Sequence, residues 1–403
     1  MTVRLEVCHS CREKAVVALL DCGPQPVGHR FLTSAGQEEG LFPLVVSQCR
    51  ACGLIQLSHP APVDEIRPRF DWISYNEPDA HLDALVEALS KLPGLLRESH
   101  VGAVVVGGDK TIECFQQRGF ANIWRIDLQR DLDVCEPNSG TETLQARLTP
   151  EAAARITHEQ GLFDLLVVRH MVEHAHEARS FLAAIQQMLK PGGYAIFEVP
   201  DCSRAFDACD YSILWEEHVF YFMPFTFRHC LETAGFQVLD LQQPTYSLVA
   251  LTRKESVQAQ KLHADILKTE IDRMQHFSES LPRIRKATQE CVSSLHTENG
   301  PVAFFGAGHM ACTYINLLEL HQELDCVVDD HPQKRGLLMP GSHLPIIGSD
   351  SLAERGVKVC LSALSPESEA KVIRNNPHFT AAGGKFLSIF AGRPNFMPIR
   401  SCA

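Results

Sequence analysis

Four cysteines near the start of the chain carry the sharpest chemical signal. Cys8 and Cys11 form one C-x-x-C pair, and Cys49 and Cys52 form a second after a loop of 37 residues. Each two-residue turn sets two sulfurs on the same side, so the two turns together satisfy tetrahedral Zn²⁺. Four protein thiolates leave no position for water, which makes the expected ion structural, a source of folding energy that so short a segment lacks. A second constellation begins at Gly107 and Gly108, after the apolar run 101–106, and continues at Asp127, 20 positions beyond Gly107. Such a turn lets the backbone approach a nucleoside while the carboxylate accepts from both ribose hydroxyls. Because Thr111 stands where a third glycine is expected, an ordinary strand–turn–helix with a surface Asp is the alternative.

Two polar clusters follow. Arg169, His170, Glu173 and His174 come after the apolar run 162–168, at the strand end where open α/β sheets bind ligands. Glu216, Glu217 and His218 precede the aromatic run Phe220, Tyr221 and Phe222. A histidine beside carboxylates in apolar surroundings can have its basicity tuned for proton abstraction, and a helix-end histidine in a solvated charge cluster is the competing account. Last, Gly306, Gly308 and Ala311 after the run 302–305 fit G-x-G-x-x-A, with Asp329 ending the next strand, a better dinucleotide fingerprint than the earlier one.

The elements that must position these groups follow from apolar periodicity. Residues 1–75 are punctuated by Pro and Gly and form a small metal-stapled module. Across 76–254 the strand-like runs 101–106, 123–127, 162–168 and 194–199 alternate with helical patterns, implying a parallel sheet covered by helices. Residues 255–298 read as a helical connector, with Val257, Leu262, Ile266, Met274, Phe277, Leu281 and Ile284 along one stripe. A second α/β pattern fills 299–403, with strands at 302–305, 326–329 and 357–361. A length of 403 residues suits two or three domains, and 45% hydrophobic with 21% charged residues is a globular composition. No apolar run reaches the roughly 18 residues of a membrane span, and no signal-peptide core follows Met1, so a soluble, cytoplasmic protein without a membrane partner is expected. The net charge of −12 argues against nucleic acid as a partner. Eleven of the 15 cysteines, such as Cys114, Cys230 and Cys360, are expected as small buried hydrophobes.

Taken in order, these segments resemble the C-methyltransferases that modify nucleotide-linked 4-keto-6-deoxy sugars. The cysteine pairs, residues 20–26, 52–57, 140–145 and 149–152, the stretch from His170 to His174, the pair Glu217 and His218, and residues 328–336 and 339–346 carry the likeness over nearly the whole chain. The resemblance implies a class I S-adenosylmethionine (SAM) dependent, Rossmann-like methyltransferase domain, a second Rossmann-like domain after it and a zinc module before it. It implies SAM at Gly107, Gly108, Asp127 and Leu128, with Arg169 and His170 at the same sheet edge. His218 would be the base that removes the proton beside the ketone, Glu217 would contact or orient the sugar, and His174 would act as donor or proton relay. Glu216 and Tyr221, with Gly306, Gly308, Asp329 and Lys334 of the closing domain, would complete the nucleotide-sugar site; no oligomeric state is implied. The chain departs from the family at ligand positions: Trp215 and Glu216 replace a Tyr and a His, and Val105 replaces an acid. NAD binding by the closing domain and a methyltransferase-shaped binding protein without activity are the other two readings.

Overall fold

The computed structural model describes residues 7–73, 77, 79–107, 109–255 and 263–399. Gly108, Val257 and Leu262, all used in the sequence reading, lie outside the described residues. The chain divides into two compact units assembled from separated stretches. The first comprises Met1–Asp21, Val45–Arg204 and Glu217–Asp272, and the second Cys22–Leu44, Ala205–Glu216 and Arg273–Ala403.

The first unit is built on a six-stranded sheet in the order Ile123–Arg125, Val101–Val104, Phe163–Arg169, Leu189–Pro200, Ser247–Lys254, Phe236–Gln242. The first four strands are parallel, and their cores read as unbroken apolar runs because helices cover both faces. Leu165, Leu166, Val167 and Val168 accordingly have no exposure at all. The helix Ala178–Met188 shows the matching 3.6-residue pattern, burying Phe181, Leu182, Ile185 and Met188 on one face. Ser247–Lys254 departs from the expected all-parallel sheet. It runs antiparallel to its neighbours Leu189–Pro200 and Phe236–Gln242, because the short link at 243–246 permits a hairpin but no crossover helix. Strand order reverses beside Val101–Val104, which has Ile123–Arg125 on one side and Phe163–Arg169 on the other, and that is where such sheets open a ligand crevice.

A smaller sheet, in the order Val16–Pro26, Leu41–Cys49, Ile55–Leu57, Phe220–Tyr221, includes the strand that carries Tyr221, with Ile55 paired to Tyr221. The second unit holds a five-stranded, wholly parallel sheet in the order Ile346–Ile347, Cys326–Val328, Val302–Phe305, Val359–Ser362, Lys385–Ser388. The expected connector is a single 36-residue helix, Ala264–Asn299. Its Met274, Phe277 and Leu281 are buried as the stripe requires, whereas Ile266 is 40% exposed. Among the described residues no helix is long and apolar enough to cross a membrane.

Gly102 shows how tightly the central strand is packed. A Cβ there would sit 2.7 Å from Leu166 Cδ2 and 2.8 Å from Phe163 Cδ1, and both side chains are fully buried. Gly102→Val should therefore cost about 1–3 kcal/mol through overpacking. Urea unfolding should show a lowered midpoint for it and an unchanged one for Gly36→Ala, where a Cβ meets nothing within 4 Å.

Candidate active site

The strand Val101–Val104 runs out through Val105 into Gly107, whose φ of 77° belongs to the left-handed region that favours glycine. A Cβ on Gly107 would meet nothing within 4 Å, so the turn is open above the strand end. Beside it lies a cavity of about 450 Å³, lined by Val105, Gly107, Ile126, Asp127, Leu128 and Leu144 among others. Asp127 caps the helix Leu128–Leu132: its Oδ1 accepts from Arg130 N at 2.7 Å, and Oδ2 has no hydrogen bond among the described residues. The shape and the free carboxylate oxygen fit an adenosine with its ribose on Asp127. Cys135, one of the cysteines expected to be buried, is instead exposed and lines the cavity, because it sits in the loop after this short helix.

Arg169 and His170 are not in the cavity wall. Arg169, at the end of Phe163–Arg169, donates Nε to Glu198 Oε2 at 2.6 Å and Nη1 to Asp109 Oδ2 at 2.9 Å. Asp109 in turn accepts from Thr111 N at 2.7 Å and caps the helix Lys110–Gln117 that follows the glycine turn. His170 has a φ of 50° and donates its backbone N–H to Glu198 O at 2.8 Å, while its ring lies 3.3 Å from Glu173 Oε1 and 3.5 Å from Glu198 Oε1. Burial alone would lower the His170 pKa, but Glu173, Glu198 and Glu77 raise it to about 10. Burial pushes Glu198 up, yet His170, His81 and Arg169 hold it well below the usual carboxylate range.

The three residues expected to do chemistry come together. His174 ends the short turn Val172–His174, and its ring stands perpendicular to that of His218 with centroids 4.7 Å apart. Glu142, on the helix Thr141–Arg147, places Oε1 3.1 Å from His174 Nδ1. Donor atoms of Glu142, His174 and Glu217 lie within 4.8 Å of one another, as do those of Glu173, His174 and His218. All five side chains are buried. Burial would lower the His174 pKa, but Glu142 first, then Glu173 and Glu217, raise it to about 9. One short helix ties this cluster to the cofactor cavity, since Leu144, two residues beyond Glu142 on it, lines the cavity. Gln145 on that helix also accepts from His176 N at 3.0 Å, fixing it to the segment after His174.

Sequence reasoning passed over Glu142 and Glu198 as site residues. Glu198 had a signal, an acid inside the otherwise apolar run 194–199, but Glu142 had only its place in a motif. Tyr221 is fully buried, with its ring 6.3 Å from that of His218. Glu216 lies in the second unit, where it accepts from Gly28 N and approaches His309 Nε2 at 3.6 Å. In that unit's glycine turn, Gly306 has a φ of 99° and Gly308 precedes the helix His309–Leu317. Asp329 accepts there from Ala307 N at 3.0 Å, from His331 N at 2.9 Å and from Lys334 Nζ at 2.9 Å.

The four cysteines converge as their spacing requires. Cys8 Sγ is 3.7 Å from Cys52 Sγ, Cys11 Sγ is 3.7 Å from Cys49 Sγ, and all four sulfurs lie within 4.8 Å of one another. A tetrahedron with Zn–S bonds of about 2.3 Å has edges of about 3.8 Å, so the set fits zinc. Gly53, with a φ of 75°, turns the chain back after Cys52 and donates its N–H to Cys49 O at 2.8 Å.

Three family models match in sequence along the chain: a putative zinc binding domain at residues 8–66, a methyltransferase domain at 106–241 and a C-methyltransferase C-terminal domain at 248–390. The C-methyltransferase NovU of Streptomyces niveus is 24% identical over 95% of this chain and 95% of its own length. The ubiquinone biosynthesis O-methyltransferase of Azoarcus sp. (strain BH72) is 29% identical over 49% of this chain and 84% of its own. Among solved structures, a SAM-dependent methyltransferase from Clostridium acetobutylicum aligns with a TM-score of 0.31 and 13% identity over 44% of this chain and 93% of that one. The chain is a SAM-dependent methyltransferase with a class I, Rossmann-like core. More particularly, its build, with the C-methyltransferase C-terminal domain following the methyltransferase domain, is that of a C-methyltransferase acting on a small molecule.

Two measurements follow from this geometry. Because a charged hydrogen bond contributes about 1.5–3 kcal/mol, Asp127→Ala should weaken SAM binding about ten- to a hundredfold. Calorimetric affinity equal to the parent's would place the ribose elsewhere. Elemental analysis of protein purified without added metal should find about one zinc per chain, and Cys49→Ser should lose both the metal and the cooperative unfolding of the module. Folded protein free of zinc would refute the assignment.

Proposed function

We propose that the protein transfers the methyl group of SAM to the carbon beside the ketone of a nucleotide-linked keto-sugar, with Zn²⁺ held by Cys8, Cys11, Cys49 and Cys52 as a structural ion. The observation that carries this reading is the buried His174–His218 pair with Glu217, joined through one helix to the cofactor cavity. The likeness to NovU, a C-methyltransferase, supports it.

A ketone acidifies its neighbouring C–H, and His218 removes that proton to an imidazole nitrogen while the electron pair of the broken bond delocalises onto the ketone oxygen as an enolate. His174, edge-on to His218, is placed to donate toward that oxygen. Glu217 orients the sugar. Bound SAM supplies the electrophilic methyl group, to which the enolate carbon forms its new bond as the sulfonium becomes a thioether. The surrounding Tyr221 and Phe222 keep water from the enolate. Glu216, Gly306, Gly308, Asp329 and Lys334 are the proposed nucleotide-sugar contacts.

His218→Asn keeps a polar side chain that cannot take up the proton. Methyl transfer and solvent-deuterium exchange at the carbon beside the ketone should both fall about 10²- to 10⁴-fold, with SAM affinity unchanged. Exchange at the parent rate would assign the base to another residue, with His174 next in line. A parent protein that binds SAM yet neither exchanges nor methylates any nucleotide-linked keto-sugar would refute the reading itself.

A further inference from the structure

Two histidines stand side by side in this site, and the reaction needs them to do opposite things. His218 must accept a proton as a neutral ring, while His174 must donate to the forming enolate. Identical side chains are told apart by their neighbours. His174 is faced by Glu142 from the helix Thr141–Arg147, by Glu173 on its own turn, by Glu217 and His218 from the stretch ahead of Phe220–Tyr221, and by His176 two residues on. Of the three acids, Glu142 stands at ion-pair distance, with Oε1 3.1 Å from Nδ1, whereas Glu173 sets Oε1 3.3 Å from His170 Nδ1. Both members of the Glu142–His174 pair are buried, so the contact is little screened. The pair is also fixed in place. Gln145 donates Nε2 to Glu142 O at 2.8 Å and accepts from His176 N at 3.0 Å, so one buried side chain ties the helix of the acid to the chain just past the imidazole. An imidazole paired at Nδ1 with a buried carboxylate is held in one orientation and has its Nε2–H left to donate.

We propose that Glu142 is the positioning residue of the proton-abstraction step: by pairing with His174 Nδ1 it aims the Nε2–H of that ring at the ketone oxygen, which makes His174 the donor and leaves the proton to His218. The assignment rests on the keto-sugar reading, in which Glu142 touches neither sugar nor cofactor and acts through His174. The charge of the ring agrees with this role. Burial alone would lower the His174 pKa, yet Glu142, first among the acids, raises it to about 9. The working form of His174 is therefore the cation, present at pH 7 and lost as the pH rises through about 9. Without the Glu142 charge that loss moves to lower pH.

The probe is the ring itself, in the zinc-loaded full chain without sugar. Protein labelled with ¹³C at histidine Cε1 is titrated by NMR, with the His174 resonance assigned by its loss in His174→Asn. In the wild-type chain the ring should stay cationic through pH 7 and titrate at about 9. In Glu142→Gln, which keeps the shape and loses the charge, the titration should fall toward the ordinary imidazole value of about 6.5, and Glu142→Asp should bring it back up. A wild-type His174 ring already neutral at pH 7 overturns the pairing, and that spectrum decides even where a variant fails to fold. Identical titrations in wild type and folded Glu142→Gln overturn it as well. Turnover of a nucleotide-linked keto-sugar is measured separately. Glu142→Gln should lower kcat about 10²-fold with KM and SAM affinity nearly unchanged, and should shift the alkaline limb of the kcat profile to lower pH. An unchanged kcat and alkaline limb beside a lowered His174 titration overturn the donor role. If the titration moves as expected while the wild-type chain neither exchanges nor methylates any keto-sugar, the pairing stands and the keto-sugar reading falls.

Discussion

The cofactor side of the first unit depends on one buried guanidinium. Arg169 and Glu198 end neighbouring parallel strands and stand opposite each other in register, and Arg169 reaches on to Asp109 at the cap of the helix after the glycine turn. The sheet edge, the cofactor turn and the polar segment from His170 to His174 are thereby joined through two carboxylates and one cation. Removing Arg169 would leave Asp109 buried without its counter-charge and Glu198 with only His170 and His81, a loss on the order of 3–5 kcal/mol. The same Glu198 accepts the His170 backbone N–H, and this bond helps hold His170 in a left-handed conformation that costs a non-glycine residue roughly 1–3 kcal/mol. That conformation starts the turn that delivers His174 to His218. The interaction is thus a device for placement, with stability as the means.

Charge balance then decides what the site can do. His170 and His174 are both drawn toward the protonated form by the acids around them, against the opposing effect of burial. Carboxylates therefore outweigh desolvation at this end of the sheet. Positive charge is favoured there, and the enolate of the proposed reaction is an anion in need of such charge. The helix Thr141–Arg147 matters for the same reason: through Glu142 it tunes His174, and through Leu144 it shapes the cofactor cavity.

Local signals in the sequence read true where the chemistry is local. The cysteine pairs, the glycine turn before Asp127 and the apolar runs of the central strands each follow from a few adjacent residues, and the structure shows each of them. Contacts set by tertiary packing were not legible. Glu142 meets His174 only because the helix Thr141–Arg147 packs against the turn at Val172–His174, a pairing with no periodic signature. Arg169 and His170, read as cofactor contacts from their place at a strand end, form the frame beneath the turn instead of the cavity wall. In the antiparallel hairpin at 236–254, the edge strand Phe236–Gln242 is half-exposed and its apolar residues are interrupted by Gln237 and Asp240, so it carries no unbroken apolar run.

The departures at Trp215 and Glu216 take on a physical sense from where the chain changes unit. The boundary falls between Glu216 and Glu217, so the four-residue stretch that carries the family likeness serves two bodies. On the second-unit side, Trp215 donates Nε1 to Ser212 O at 2.8 Å and packs on the His309 ring at 5.1 Å, while Glu216 accepts the Gly28 N–H and faces His309. A Cβ on Gly28 would come within 2.7 Å of His309 Cδ2, so this corner tolerates little change in size. Both replacements are engaged in that packing. The first-unit side keeps Glu217 and His218 and surrounds them with Glu142, Glu173 and His174. The polar groups of that set are carboxylates and imidazoles. In the proposed reaction, stabilisation of the anionic intermediate therefore falls first to charge on His174, with the buried Tyr221, whose ring lies 6.3 Å from that of His218, as a neutral hydroxyl close by.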